Sequence, residues 1–407
     1  MIPVAVRLGE TPRTILTPTR PKTNRLALTF LFPMPQSNTS YSEAIKAQAQ
    51  KLGFDLAGIC PAVAPAGFAN FVTWLEAGYA GEMSYLPDRR DAYRHPEHVL
   101  DGVRSIVMLA MNYGTVPAKP GGPGEGRVAR YAWGTDYHDV LHDRLRQLAT
   151  AVRELLPQAA VRGVVDTAPL FERELAQLAG LGWVGKNTLL LNKHEGSWFF
   201  LAALLTSAEL DYDRPHEADH CGTCRACLDA CPTGAFVAPY VLDSRRCISY
   251  LTIELRSLAP VELRSGQGDW LFGCDVCQEV CPWNHRAPQS HEPEFTPRVG
   301  TNPVELASLF ELDDAAFKAR FRATPLWRPK RRGVLRNAAI VLGNQRWPGG
   351  IAPLTLGLND AEPLVRAACA WALGQFEVEA AREALTARFE VETDTEVRRE
   401  IEASTSR

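Results

Sequence analysis

Two cysteine-rich stretches decide how the middle of this chain folds. Residues 221–232 read CGTCRACLDACP, residues 274–282 read CDVCQEVCP, and Cys247 lies between them. In iron–sulfur proteins, three closely spaced thiolates bind three irons of one cubane, while a fourth cysteine, followed by proline, binds the other cluster. A symmetric two-cluster protein would have a cysteine in place of Leu271. We therefore expect Cys247 to supply the ligand that position 271 lacks.

The spacing divides eight of the ten cysteines between two 4Fe–4S clusters. The ligands predicted for the first cluster are Cys221, Cys224, Cys227 and Cys281. The ligands predicted for the second cluster are Cys231, Cys247, Cys274 and Cys277. Structural zinc and disulfides are the alternatives, but zinc sites use CxxC pairs or Cys/His mixtures, and disulfides need an oxidising compartment. Cys60 and Cys369 lie outside the pattern, and we expect both to be buried as small hydrophobic residues.

Length and composition are those of an ordinary globular protein. The chain has 407 residues, enough for two or three domains, with 46% hydrophobic and 22% charged residues. Because the net charge is only −3, any nucleic-acid surface must be a local basic patch. No stretch approaches the ~20 apolar residues of a membrane span, so we predict no membrane association. Residues 1–40 are predicted to be a disordered or transit-like extension. The alternative is that the start codon is assigned too far upstream and that translation begins at Met34.

Residues 41–215 are predicted to form an α+β domain, because strand-like and helix-like segments mix there without a regular βαβ alternation. The predicted strands and the buried apolar segment are residues 54–59, 105–112, 161–165 and 198–205. The predicted helices are residues 42–52, 136–156 and 169–178. Ser42 is the expected N-cap of the first helix, and Pro169 is expected in the first turn of the third.

The rest of the chain is predicted to form a cysteine domain over residues 216–290 and a helical domain over residues 291–407. Three segments of the helical part resemble one another: residues 335–339, 365–369 and 397–401. Their arginines, at positions 336, 366 and 398, are 30 and then 32 residues apart. A period near 30 favours a short HEAT-like array, and an ordinary helical subdomain is the alternative.

A glycine motif invites a nucleotide-binding interpretation that its context does not favour. Residues 180–185 read GLGWVG, which matches GxGxxG, but they follow a predicted helix, whereas the dinucleotide motif follows a strand. Gly180 is better explained as the residue that ends that helix. The glycines, with Lys186, Asn187 and Asn192 close behind, also leave open a close approach of the backbone to a large flat ligand.

Two further features each have a structural and a functional interpretation. Asp166 follows a strand-like run and precedes Thr167, so it is either a helix cap or an acid in a cleft. Residues 327–332 read WRPKRR, with Arg336 just beyond, and contain no acid. Such a run is either a solvated surface or a patch for nucleic-acid phosphates. The residues predicted to bind nucleic acid are Arg328, Lys330, Arg331, Arg332 and Arg336.

Seven motifs in sequence order resemble those of the epoxyqueuosine reductase family. They are residues 130–138 (RYAWGTDYH), 165–169 (VDTAP), 179–187 (AGLGWVGKN), 196–200 (GSWFF), 231–235 (CPTGA), 246–254 (RCISYLTIE) and 281–284 (CPWN). The resemblance covers about residues 41–375. It implies a nitroreductase-like domain that binds cobalamin, a ferredoxin-like domain with two 4Fe–4S clusters, and C-terminal HEAT-like repeats. It also implies that Asp166 is the proton donor and that cobalamin contacts come from Arg130, Tyr131, Asp166, Lys186, Asn187, Asn192, Ser197 and Ser244.

The family's reaction is the removal of the epoxide oxygen from a tRNA anticodon base. The resemblance implies a cytoplasmic monomer, fed by an external low-potential electron donor, whose clusters pass single electrons to cobalamin. Asp166 would protonate the departing oxygen, and we expect burial to raise its pKa. The alternatives are a cobalamin-dependent reductive dehalogenase and a ferredoxin-type electron carrier with a helical scaffold. A corrin absorption spectrum would exclude the electron carrier.

Overall fold

The computed structural model describes residues 38–406, with side chains from residue 41 onward. The extension predicted over residues 1–40 therefore lies almost wholly outside the described residues. In the described part of the chain, no helix is long and apolar enough to cross a membrane. The strands are β1 (Leu56–Pro61), β2 (Ser105–Asn112), β3 (Glu125–Val128), β4 (Val161–Val164), β5 (Trp183–Val184), β6 (Leu190–Leu191), β7 (Phe199–Thr206), β8 (Phe236–Ala238), β9 (Val241–Leu242), β10 (Trp270–Phe272) and β11 (Val304–Glu305).

Helices occur in all three predicted regions and dominate the C-terminal one. They are α1 (Asn38–Lys51), α2 (Phe68–Glu76), α3 (Tyr85–Asp88), α4 (Tyr137–Leu155), α5 (Glu172–Leu178), α6 (Ala226–Asp229), α7 (Ile248–Ile253), α8 (Val261–Arg264), α9 (Val276–Glu279), α10 (Asp314–Phe321), α11 (Lys330–Gln345), α12 (Ile351–Gly357), α13 (Pro363–Leu373), α14 (Glu379–Val391) and α15 (Thr395–Thr405). The mixed first part and the helical last part agree with the predicted fold classes.

The principal sheet has the strand order β1–β2–β7–β4, and every neighbouring pair is antiparallel. All eight residues of β2 and all eight of β7 are buried. Alternate side chains serve two cores: Val107 packs with α1 and α4 on one face, while Ile106 packs with α5 on the other. Helices on both faces explain why these two strands read as continuous apolar runs and not as an alternation. The four predicted strand segments are confirmed.

A second, three-stranded sheet joins the three predicted regions. Its order is β10–β3–β11, with β10 parallel and β11 antiparallel to β3. Gly126 in β3 allows this packing, because a Cβ there would lie 2.8 Å from a Leu306 methyl and 2.9 Å from the Leu271 Cβ. One hydrophobic core runs continuously from Phe71 through this sheet to Ile401. The regions are therefore packed together and not strung as separate modules.

The C-terminal helices stack as the repeat predicts, with α13 packed between α11 and α15. The repeated arginines have one shared function, because each donates hydrogen bonds to backbone carbonyls. Arg336 donates to the carbonyls of residues 251, 255 and 257, Arg366 to those of 360 and 361, and Arg398 to those of 389 and 392. The 30-residue period in the sequence thus repeats a structural contact.

Two local predictions were wrong and one was confirmed. Ser42 lies inside α1, where its hydroxyl accepts a hydrogen bond from the Asp211 amide at 2.9 Å, so it is not an N-cap. Helix α5 begins at Glu172 and not near residue 169, because residues 165–170 form successive tight turns instead. Gly180 follows α5 with φ of 80°, as expected for a residue that ends a helix.

Candidate functional site: two cysteine groups and a buried aspartate

The structure gathers the eight cysteines into the two groups that the spacing predicts. Cys221, Cys224, Cys227 and Cys281 line a cavity of about 190 Å³. We call these four the outer group. Cys247, Cys274 and Cys277 line a second cavity, and Cys231 lies close enough to raise the pKa of Cys274, after burial and Cys247. We call Cys231, Cys247, Cys274 and Cys277 the inner group.

The two groups reproduce the ligand sets that the spacing predicts for two clusters. All ten cysteines are free thiols, and Cys60 and Cys369 are buried as expected. Burial raises the pKa of Cys227 to about 11 and that of Cys247 to about 11. Thiols with such raised pKa values become thiolates when they bind a metal such as iron, because the positive charge of the metal stabilises the anion.

The two groups differ in their access to solvent. Cys224 of the outer group is exposed, and its loop is fixed by Lys186, whose ammonium donates to the Gly222 carbonyl at 2.6 Å and the Cys224 carbonyl at 2.8 Å. Three inner cysteines line a cavity within the protein, and burial is the principal reason that the pKa of Cys277 is well above its ordinary value. Of the eight cysteines, only Cys224 of the outer group is exposed.

Two small cavities lie near the inner group, and only the first is lined by its cysteines. The first, of about 70 Å³, is lined by Tyr131, Asn187 and Ser197 together with three inner cysteines. The second, of about 90 Å³, is lined by Asp166, Glu172 and Arg328 among others. Arg173 lines both cavities, so they meet at its side chain. Asp166 and the inner group thus line two adjoining cavities that share Arg173.

Asp166 is held there by side chains from two parts of the chain. Its Oδ2 accepts a hydrogen bond from the Tyr137 hydroxyl at 2.5 Å, and His138 Nε2 lies 3.4 Å away. Both residues open helix α4, whose N-cap is Asp136. Arg328 lies 3.9 Å from the same oxygen and also pairs with Glu254 at 2.9 Å. The residue accepts these contacts as a carboxylate and not as a helix cap.

The expectation that burial raises the pKa of Asp166 was wrong for this state of the protein. Burial would raise this pKa, but the hydrogen bonds from His138 and Tyr137 and the charge of Arg328 outweigh it, so the pKa lies below its ordinary value. The pKa of the neighbouring His138 shifts the other way. Although burial opposes it, hydrogen bonds to Asp136 at 2.8 Å and to Asp166 raise the pKa of His138 to about 9. A group that holds a proton at neutral pH therefore lies beside Asp166, with its Nε2 3.4 Å from the carboxylate.

The residues predicted to contact cobalamin fall into separate places. Tyr131, Asn187 and Ser197 line the cavity at the inner group. Arg130 borders a neighbouring cavity of about 700 Å³, and its Nε is buried without a hydrogen-bond partner. The structure does not bring the remaining three to the cavity beside the inner group. Lys186 is engaged with the loop of the outer group, Asn192 with the Leu181 carbonyl at 2.7 Å, and Ser244 is fully buried with an unpartnered hydroxyl.

The basic run also divides. Arg328, Lys330 and Arg332 are exposed. Arg331 is mostly buried against Asp360 at 2.5 Å. Arg336 is fully buried, its guanidinium donates to three carbonyls and to Asn337, and burial lowers its pKa to about 10. The prediction that Arg336 contacts nucleic acid was therefore wrong.

Sequence reasoning missed several members of the site. Tyr137 and His138 stand in a quoted motif, but nothing in their spacing shows that they reach Asp166. Glu172, Arg173 and the contact of Arg328 with Asp166 were not foreseen. For Arg336 a signal existed, since it lies inside the apolar stretch 333–343.

These features define an iron–sulfur oxidoreductase with helical repeats, and comparison with known proteins agrees. Residues 220–284 match the 4Fe-4S double cluster binding domain, residues 330–405 match HEAT repeats, and residues 94–167 match the model described as epoxyqueuosine reductase QueG. The repeats that the sequence predicts are thereby confirmed, as are the two clusters.

Full-length relatives and solved structures point to one family. The epoxyqueuosine reductase of Pseudomonas aeruginosa is 40% identical over 83% of this chain and 95% of its own, and that of Escherichia coli is 38% identical over 84% and 91%. A crystal structure of an epoxyqueuosine reductase with an epoxyqueuosine-modified tRNA-Tyr stem loop is similar at a TM-score of 0.83. It is 30% identical and covers 90% of this chain and 98% of its own. The chain belongs to the epoxyqueuosine reductase family.

Proposed function

We propose that this protein removes the epoxide oxygen from epoxyqueuosine in a tRNA anticodon and leaves queuosine. The observation that carries this proposal is the placement of Asp166 and the inner cysteine group in two adjoining cavities that share Arg173. An electron source on one side and a proton source on the other suit a reductive deoxygenation. The net change is balanced: the epoxide takes up two electrons and two protons, both C–O bonds break, a carbon–carbon double bond forms, and water leaves.

The residues around these cavities have the chemistry to hold cobalamin. Tyr131 offers an aromatic face and Asn187 and Ser197 offer polar groups. The orphaned Arg130 Nε, beside the neighbouring cavity of about 700 Å³, is a group that a large polar ligand could satisfy. Tyr131, Asn187 and Ser197 would hold it on the cysteine side, with Arg130 at its edge. When bound, cobalamin supplies a low-valent cobalt able to reduce the epoxide carbon.

The clusters would carry electrons inward. The outer group, with Cys224 exposed, would accept electrons from an external low-potential donor, and the inner group would pass them to the cofactor. Asp166 would relay to the departing oxygen a proton taken from His138, whose pKa is raised to about 9. Tyr137 keeps the Asp166 carboxylate oriented toward this exchange.

The tRNA backbone would be held by the exposed cations Arg328, Lys330 and Arg332, since clustered positive charges bind phosphates without reading sequence. The modified base must leave the anticodon stack to reach the interior region. Arg328 connects the two tasks because it is exposed and also contacts Asp166. The proposal includes a monomeric protein working in the cytoplasm.

Product analysis tests this proposal. Anaerobic protein with both clusters and cobalamin is mixed with a low-potential reductant and an epoxyqueuosine-containing tRNA stem loop, and the nucleosides are separated by mass. We expect conversion to queuosine. Dehalogenation of a halogenated phenol without conversion of the tRNA would favour the dehalogenase alternative. Failure to bind cobalamin, seen as a missing corrin spectrum, would favour the electron carrier.

A further inference from the structure

The backbone of Asp166 is strained in a way that the tyrosine and histidine contacts do not explain. Its φ is +57°, in the left-handed region that non-glycine residues rarely adopt. The Thr167 amide donates to the Val165 carbonyl at 2.5 Å, so Asp166 is the central residue of a three-residue turn. Turns of this kind with positive φ are rare and strained, and they persist only where neighbouring groups hold them.

Glu172 holds the turn through a hydrogen bond to the backbone of its central residue. Its Oε1 accepts the hydrogen bond of the Asp166 amide at 2.9 Å, reaching back from the first residue of α5. From outside, Arg89 donates to the Thr167 carbonyl at 3.0 Å. Glu172 and Asp166 also line the same cavity. Glu172 therefore contacts the Asp166 backbone at the cavity that the Asp166 side chain borders.

We propose that Glu172 is a positioning residue that keeps the Asp166 turn in its strained form and so keeps the Asp166 carboxylate beside Tyr137 and His138. This inference rests on the proposed function of Asp166 as proton donor. If the hydrogen bond from the amide is lost, the turn can relax toward an ordinary backbone conformation. The carboxylate then moves away from its partners, and proton delivery slows while tRNA binding is unaffected.

The electrostatics of the pair agree with this arrangement. Burial, and then the nearby charge of Asp166, raise the pKa of Glu172 to about 7. Near neutral pH, Glu172 is therefore only partly ionised, which reduces its repulsion of the Asp166 carboxylate. When protonated, Glu172 can still accept the hydrogen bond of the Asp166 amide through its carbonyl oxygen. The raised pKa lets the two acids lie close together, as the positioning contact requires.

Helix α5 offers a matched control. Glu174 lies two residues further along, and its carboxylate also accepts backbone hydrogen bonds, from the amides of Ala66 at 2.5 Å and Gly67 at 3.0 Å. Glu174→Ala removes an equivalent contact from the same helix without touching the Asp166 turn. Any loss of activity caused simply by damage to α5 would be shared by both variants.

The test combines hydrogen exchange with kinetics on the fully loaded enzyme. Glu172→Ala should speed exchange in the peptide covering residues 163–171, whereas Glu174→Ala should speed it around residues 66 and 67. Glu172→Ala should lower kcat by about 10- to 100-fold with KM for the tRNA stem loop unchanged, the size expected for a misplaced catalytic group. Glu172→Gln, which keeps an acceptor oxygen, should recover kcat to within about fivefold of the wild type.

Three outcomes would overturn the inference. Exchange over residues 163–171 that is unchanged in Glu172→Ala would show that the contact does not hold the turn. Faster exchange with normal kcat would show that the held turn does not matter for catalysis. An equal loss of kcat in Glu174→Ala would assign the effect to α5 as a whole. If Asp166→Asn is itself fully active, the proposed proton donor fails, but the exchange result still decides whether Glu172 holds the turn.

Discussion

The two cysteine groups use the same ligand chemistry in opposite surroundings. The outer group keeps Cys224 exposed, in a loop tied down by Lys186. The inner group is enclosed, and its Cys247 and Cys277 border the region that leads to Asp166. Cluster potentials depend on burial and on hydrogen bonds to sulfur, so two similar cubanes in unlike surroundings can carry electrons in one direction. In the proposed function, electrons enter at the outer group, which has the exposed Cys224, and leave from the inner one.

Removing an inner ligand should have the largest effect. Cys247→Ala should abolish turnover, because the inner cluster is the proposed link to the cofactor, while the outer cluster keeps all four of its ligands. Iron analysis and EPR of the reduced protein check this. We expect the signal of one cluster to survive. Complete loss of both signals in stably folded protein would refute the assignment of Cys247 to the inner group alone.

Asp166→Asn tests the far side of the same region. The asparagine keeps the size of the side chain and can still meet Tyr137, but it cannot give up a proton. Turnover should fall by at least ~100-fold, as is typical for the loss of a general acid, while cobalamin binding and both cluster signals stay normal. Single-turnover kinetics on the tRNA stem loop measure this. Near-normal turnover would leave Asp166 with a structural function only.

His138→Gln should have a smaller, pH-dependent effect. Because its folded-state pKa of about 9 is above the ordinary 6.5, the ion pairs with Asp136 and Asp166 are complete below about 6.5 and are lost as pH rises through about 9. The wild-type kcat should therefore fall as pH rises through about 9. The variant should be slower by roughly tenfold at neutral pH and should lack this alkaline decline. An identical pH profile in both proteins would exclude His138 as the proton source.

Neutralising the exposed cations should mainly weaken the binding of tRNA. The combined change of Arg328, Lys330 and Arg332 to glutamine should reduce the salt slope of tRNA affinity by about three units, one for each lost phosphate contact. Turnover at saturating tRNA should be slowed only through the contact of Arg328 with Asp166. The double variant Lys330→Gln with Arg332→Gln keeps that contact, so it tests tRNA binding alone. An affinity with unaltered salt dependence would place the tRNA surface elsewhere.

Arg336→Met is the matched control for that experiment. Its arginine is buried, so the variant should leave the salt slope unchanged. It should instead lower Tm by about 5 °C or more, since several buried carbonyls lose a charged donor. A changed slope with a normal Tm would mean that Arg336 reaches the tRNA after all.

The cysteine groups could be predicted from sequence because their ligands follow a local spacing rule, with Cys247 as the one distant member. The strands β2 and β7 were predictable for a similar reason, as uninterrupted apolar runs. The surroundings of Asp166 could not be predicted from the sequence. Its neighbours Tyr137, Glu172 and Arg328 are far apart in the chain and come together only in the fold. The pKa of Asp166 depends on those neighbours, and for that reason a prediction from burial alone had the wrong sign.

The most direct measurement compares queuosine formed by one preparation with and without cobalamin. Protein carrying both clusters is divided, one half is loaded with cobalamin, and both halves receive the same reductant and epoxyqueuosine-containing tRNA stem loop. We predict queuosine only in the loaded half, and none from loaded Cys247→Ala protein, whose inner cluster is broken. Equal product in both halves, or none in the loaded half with both clusters intact, would contradict the proposed function.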